Sequence, residues 1–168
     1  IRLENDYLHY WGKLALSLDL AATLEAGQAL ADSDVGTVVF MSNSRNEAQM
    51  LHRHFADRYG KDAVAAVHGW TSHDHSVREL IKHINDRLPE LRVFICSPSV
   101  STGVDVSAHV AGVFGLFRPQ PGTATDLMQM VARFRNAGTR MVHIMHSERP
   151  NLVTEPGLLL YRTRYNVA

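Results

Sequence analysis

At 168 residues, 45% apolar and 20% charged, the chain has the size and composition of one soluble globular domain with room for a real core. Its 17 basic residues balance 17 acidic ones, so no global field draws it to nucleic acid or membrane, and any polyanion contact must be a local patch. A single cysteine, Cys96, excludes an internal disulfide framework and fits a reducing, cytoplasmic setting; no run approaches the ~18 apolar residues of a membrane span, and no signal peptide is visible. The chain opens at Ile1 without an initiator Met, and we read it as a piece of something longer.

Residues 1–11 are aromatic-rich and read as an entering strand or linker. Leu14, Leu16, Leu18, Leu20 and the Ala-rich run to Leu30 predict a helix closed by Asp32-Ser33-Asp34 and Gly36. Residues 37–41 (TVVFM) predict a buried strand with Ser42-Asn43-Ser44 as outlet and N-cap. A second helix carries Ala48, Leu51, His52, Phe55 and Tyr59 at 3–4 spacing and stops at Gly60. A third segment, 63–67, predicts a short strand ending at His68-Gly69. The polar loop 71–76 leads to a helix with Leu80, Ile81, Ile84 and Leu88 on one side.

The run at 92–96 predicts a strand buried on both faces, opening into the small-residue loop 97–105, which ends in Gly103-Val104-Asp105. That composition places backbone N–H groups, hydroxyls and Asp105 at the carboxyl edge of the sheet, where open α/β sheets bind ligands. Residues 110–116 predict another apolar strand, Thr123 or Thr125 caps a helix from about Asp126 to Phe134, and 141–145 predict a last strand before a tail at 150–168. Strands alternating with helices mean an α/β domain, a parallel sheet flanked by helices on both faces. Cys96 reads as a buried inert thiol rather than a nucleophile. His73 and His75, near His68 and Asp74, lack the paired motif of a metal site, and a solvated loop is the simpler reading.

Four sites then stand at strand ends in chain order: Asn43-Ser44-Arg45, His68-Gly69, the 97–105 loop and Gln129–Arg135. Over about Gly36 to Arg140, their order and spacing resemble the second, RecA-like ATPase lobe of superfamily 2 helicases. Ser97-Pro98-Ser99-Val100-Ser101-Thr102-Gly103-Val104-Asp105 resembles the motif with a Thr/Ser at its start and Gly-x-Asp at its end. Gln129-Met130-Val131-Ala132-Arg133-Phe134-Arg135 resembles the arginine-finger helix. The style of both is similar to replication helicases of herpesvirus origin-binding proteins and of plasmid or phage primase-helicases.

The resemblance implies a helicase lobe over 36–150, a linker and entering helix at 1–35, and a tail or link at 151–168. It implies Arg133, Arg135 and Gln129 as catalytic, and Gly103, Asp105, Ser101 and Thr102 against the nucleotide. It implies Ser42, Asn43, Ser44, Arg45, His68, Gly69, Ser97 and Ser99 along a nucleic-acid track, through contacts that fix register without reading sequence. The chain departs from the family pattern at Pro98, where an acidic residue is usual, and at Asn136, where a second arginine is usual. On a continued helix Arg135 would point away from Arg133. The chain has no Gly-x-x-x-x-Gly-Lys-[Ser/Thr] loop and no Asp-Glu pair at a strand end. ATP and Mg²⁺ would therefore be held mainly by a preceding RecA-like lobe, the partner the resemblance implies beside single-stranded or duplex DNA, with RNA open. Two other readings remain: a turnover-deficient lobe serving as a docking module, and an unrelated nucleotide-binding α/β domain.

Overall fold

A computed structural model describes residues 14–17, 19–69, 71–97, 104–118 and 124–144. The expectations for 1–11, the tail, Thr123, and Ser99, Ser101, Thr102 and Gly103 lie outside the described residues. Six strands form one parallel sheet: β1 (Leu14–Ser17), β2 (Val38–Ser42), β3 (Val64–Val67), β4 (Val93–Cys96), β5 (Val110–Phe117) and β6 (Ala137–Ile144), in the order β1-β6-β5-β2-β4-β3. The helices are α1 (Leu20–Asp32), α2 (Arg45–Tyr59), α3 (His75–Lys82), α4 (Ile84–Arg87) and α5 (Ala124–Ala132). Among the described residues no helix is long and apolar enough to cross a membrane.

The central strands β5, β2 and β4 are buried at every position, as expected of strands covered on both faces. Alternate residues divide between two cores. Val39, Met41, Phe94, Cys96, Val113 and Phe117 pack with Ile84, Leu88, Leu127, Met130 and Val131 beneath α4 and α5. Val38, Phe40, Val93, Ile95, Phe114 and Leu116 pack with Ala31, Ala48, Leu51 and Phe55 beneath α1 and α2. Ser44 caps α2, and Gly60 ends it at φ 93°, a left-handed backbone that favours glycine.

The structure corrects the sequence reading in three places. Leu14 and Leu16 belong to a strand, β1, which pairs with β6; α1 begins only at Leu20, after the Asp19 cap accepts from the Ala21 N–H at 2.9 Å. The helix expected through Leu88 breaks at His83 (φ −113°, ψ 31°) into α3 and α4, and the break turns Ile84 and Leu88 into the core. The last helix ends at Ala132, two residues short of Phe134, and starts at Ala124, so Thr125 lies inside it and is not its cap. Val106, four residues upstream of β5, bridges Phe134, and Val104 and Val106 line one cleft with Cys96 and Ser97.

Candidate functional site

The expected residues fall into two groups that meet at one cleft, lined by Met41, Cys96 and Ser97 on one side and Val104, Met130 and Arg133 on the other. The first lies along the carboxyl edge. Register sets Met41 beside Cys96 and Cys96 beside Val67, so Ser42, Ser97 and His68 follow as neighbours on β2, β4 and β3. On the other side of β2 the chain leaves β5 at Arg118. Asn43, only 7% exposed, ties these ends together: its Nδ2 donates to Arg118 O at 2.7 Å and its Oδ1 accepts from Arg118 N–H at 2.8 Å. Ser42 Oγ donates to the Glu47 carboxylate and accepts from Ser44 N–H at 3.0 Å. These two side chains are committed to shaping the edge, while Arg45, Gly69 and Arg118 are exposed along it. Arg118 Nη2 stands 3.9 Å from Glu47.

His68 closes β3 with its ring buried. Its backbone N–H donates to Thr71 Oγ1 at 3.0 Å, and its Nδ1 has no hydrogen-bond partner among the described residues. Burial, then the charges of His52 and Arg45, push its pKa below 6.5, so the neutral imidazole prevails. The described residues hold no group of three or more His, Cys, Asp or Glu side chains able to bind a metal ion.

The second group forms where α5 ends. The chain leaves the helix through one tighter turn, Arg133 N–H donating to Met130 O (3.2 Å) and Phe134 N–H to Val131 O (3.4 Å), and then bridges the 104–106 segment in parallel: Val106 N–H donates to Arg133 O, and Arg135 N–H donates to Val106 O, both at 3.2 Å. Phe134 is buried against Phe94, Arg133 is half-buried in the same cleft, and Arg135 is exposed. Arg135 Nε pairs with Asp105 Oδ1 at 3.0 Å, and Arg133 Nη1 reaches Val104 O at 3.4 Å, long for such a bond. Gln129 is exposed on α5, and the Arg133 guanidinium engages Val104 O rather than the Gln129 amide. The Arg135–Asp105 pair is more than half exposed on both sides, which limits it to about 0–1 kcal/mol.

Two residues absent from the sequence reading complete this turn. Arg140 on β6, 4% exposed, donates from Nη2 to Phe134 O at 2.8 Å and Arg135 O at 3.0 Å. Asn85 on α4 accepts from Ser107 N–H (2.8 Å) and Ala108 N–H (3.0 Å), and donates to Asp105 O at 3.2 Å. The available signal was a cation at a core-facing register of an apolar strand. Asn85 gave none, because its role depends on the break at His83.

Sheet and layers together define a RecA-like α/β arrangement. It is shared with the DUF1998 helicase MrfA, solved bound to DNA, at TM-score 0.57 and 12% identity, over 86% of this chain and 20% of that one. It is also shared with the helicase Lhr of Mycobacterium smegmatis, solved with ssDNA and AMP-PNP, at TM-score 0.50 and 21% identity, over 80% of this chain and 19% of that one. At these identities the likeness establishes the fold, and the chain spans about a fifth of the length of each. No protein-family model and no curated protein sequence matches the chain.

Proposed function

We propose that the chain is the second motor lobe of an ATP-dependent nucleic-acid helicase, delivering an arginine finger to a triphosphate held by a partner lobe. One observation carries the reading: just past α5, the Arg133 and Arg135 guanidiniums both engage the 104–105 segment, Arg133 at the Val104 carbonyl and Arg135 at the Asp105 carboxylate. Phosphoryl transfer needs charge stabilisation more than covalent help, and a guanidinium offers a permanent charge and a planar fork for phosphate oxygens. The site fits half of a nucleotide: it offers cations and one carboxylate, with neither a phosphate loop nor an acidic pair for Mg²⁺ in the sequence. ATP with Mg²⁺ supplies the scissile phosphoanhydride and the metal charge when the two lobes meet.

Within that arrangement Arg133 is the finger, and Arg135 is a second cation held by Asp105. Because their exposed ion pair is weak, Arg135 exchanges Asp105 for phosphate oxygens at little cost. Asp105 serves the ribose hydroxyls or this latch, and Gly103, Ser101 and Thr102 line the nucleotide. The carboxyl edge carries the nucleic-acid track, with Ser44, Arg45, Gly69, His68, Ser97 and Ser99 toward backbone phosphates and Ser42 and Asn43 shaping the edge beneath them. A replication setting is supported by the style of the 97–105 and 129–135 motifs, and DNA is the preferred track.

In a protein containing both lobes, Arg133→Ala is expected to lower ATP turnover by roughly 10³–10⁵-fold while nucleotide binding is kept. Nucleotide-dependent fluorescence and steady-state hydrolysis measure the two separately. Unchanged turnover would sink the motor reading and favour a docking module.

A further inference from the structure

At the end of α5 the N–H groups of Arg133 and Phe134 still find Met130 and Val131 carbonyls, but the carbonyls of residues 133–135 need partners from elsewhere. The Val106–Phe134 bridge supplies one, at Arg133 O, and two side chains hold the two strands of that bridge. Arg140, beneath the turn, donates to the carbonyls of Phe134 and Arg135. Asn85, on the far side, fixes the backbone of Asp105, Ser107 and Ala108 through three hydrogen bonds. These five bonds all go to the backbone, while the guanidiniums of Arg133 and Arg135 turn to Val104 and Asp105.

Burial makes the Arg140 arrangement costly. Desolvation lowers its pKa, and a guanidinium taken from water loses several kcal/mol of solvation unless its donors are satisfied. Arg140 lies on β6 between Val113 of β5 and Leu14 of β1 in register, where a valine would fill the layer without that cost. What the arginine adds is reach: its Nη2, with two N–H groups, donates to two successive carbonyls of the turn.

We propose that Arg140 and Asn85 are positioning residues that hold the Arg133–Arg135 turn and the Asp105 backbone in register, so that both cations face the gap already oriented. This rests on the reading of Arg133 as a finger. Misplacing a catalytic group by about 1 Å can cost ~10²-fold in rate, so a loosened turn would reduce chemistry before it reduced binding.

The test has two arms. In the two-lobe protein, Arg140→Met and Asn85→Ala are expected to lower kcat by roughly 10–10²-fold with KM for ATP changed less than about threefold. Arg140→Lys, whose ammonium can still reach one carbonyl, is expected to recover part of the loss. In the 168-residue chain, ¹⁵N relaxation of the Arg135 Nε–H is expected to show larger-amplitude motion in both variants. Should Arg140→Met fail to fold, Asn85→Ala, at an exposed side chain, carries the test. Unchanged kcat and unchanged Arg135 order in folded variants would overturn the positioning role while leaving the finger intact. Turnover insensitive to Arg133→Ala would overturn the finger instead, with the Arg135 relaxation arm still deciding whether the turn is held as described.

Discussion

Cys96 ends β4 among apolar neighbours, and burial pushes its thiol up to about 12 from 9.0. Above pH 9 the unfolded chain releases a proton that the folded chain keeps, so this thiol lowers stability as pH rises from about 9 towards 12, by at most ~1.4 kcal/mol per pH unit. His68 acts at the other end. Its folded pKa is depressed below 6.5, so its contribution is full above that pH and is lost as pH falls and the unfolded chain takes up the proton. Urea midpoints measured against pH are expected to fall on both sides of this window. Cys96→Ala should flatten the alkaline side and His68→Gln the acidic side; equal slopes before and after substitution would contradict both assignments. The inert character of Cys96 was legible in its apolar run. The burial of His68 was not, because a strand-end histidine followed by glycine reads equally well as exposed.

Helix α1 shows why an element's sequence can oppose its own propensity. Gly27 sits mid-helix, where alanine would be favoured by about 1 kcal/mol. A Cβ there would stand 2.5 Å from the Phe40 ring tip and 3.1 Å from Phe114. Phe40 cannot yield: it is fully buried and stacks on Phe55 with ring centroids 4.7 Å apart. Overpacking of this kind costs ~1–3 kcal/mol, so Gly27→Ala is expected to destabilise the fold by about 1 kcal/mol net, read as a lower urea midpoint. A raised midpoint would mean that helix propensity wins. The ends of α2 were legible because Ser44 and Gly60 are local signals. The ends of α5 and the break at His83 were not, because both follow from distant contacts: the Val106 bridge and the burial of Ile84 and Leu88.

For the whole molecule, the proposed division of labour gives a direct test. The chain contributes cations but no phosphate loop, so the isolated chain is expected to hydrolyse ATP no faster than background; turnover by pure chain would defeat the half-site reading. Sequence alone determined the α/β class, the strands β2, β3, β4, β5 and the core of β6, and the presence of arginines about the end of the last helix. Continuous apolar runs and cap residues are local and survive any context. Only the tertiary structure decided that β1 joins the sheet, that the last helix stops at Ala132, and that Arg133 and Arg135 both engage the 104–105 segment. Those outcomes come from pairing between segments far apart in sequence, where Arg140 and Asn85 supply hydrogen bonds that no local pattern encodes.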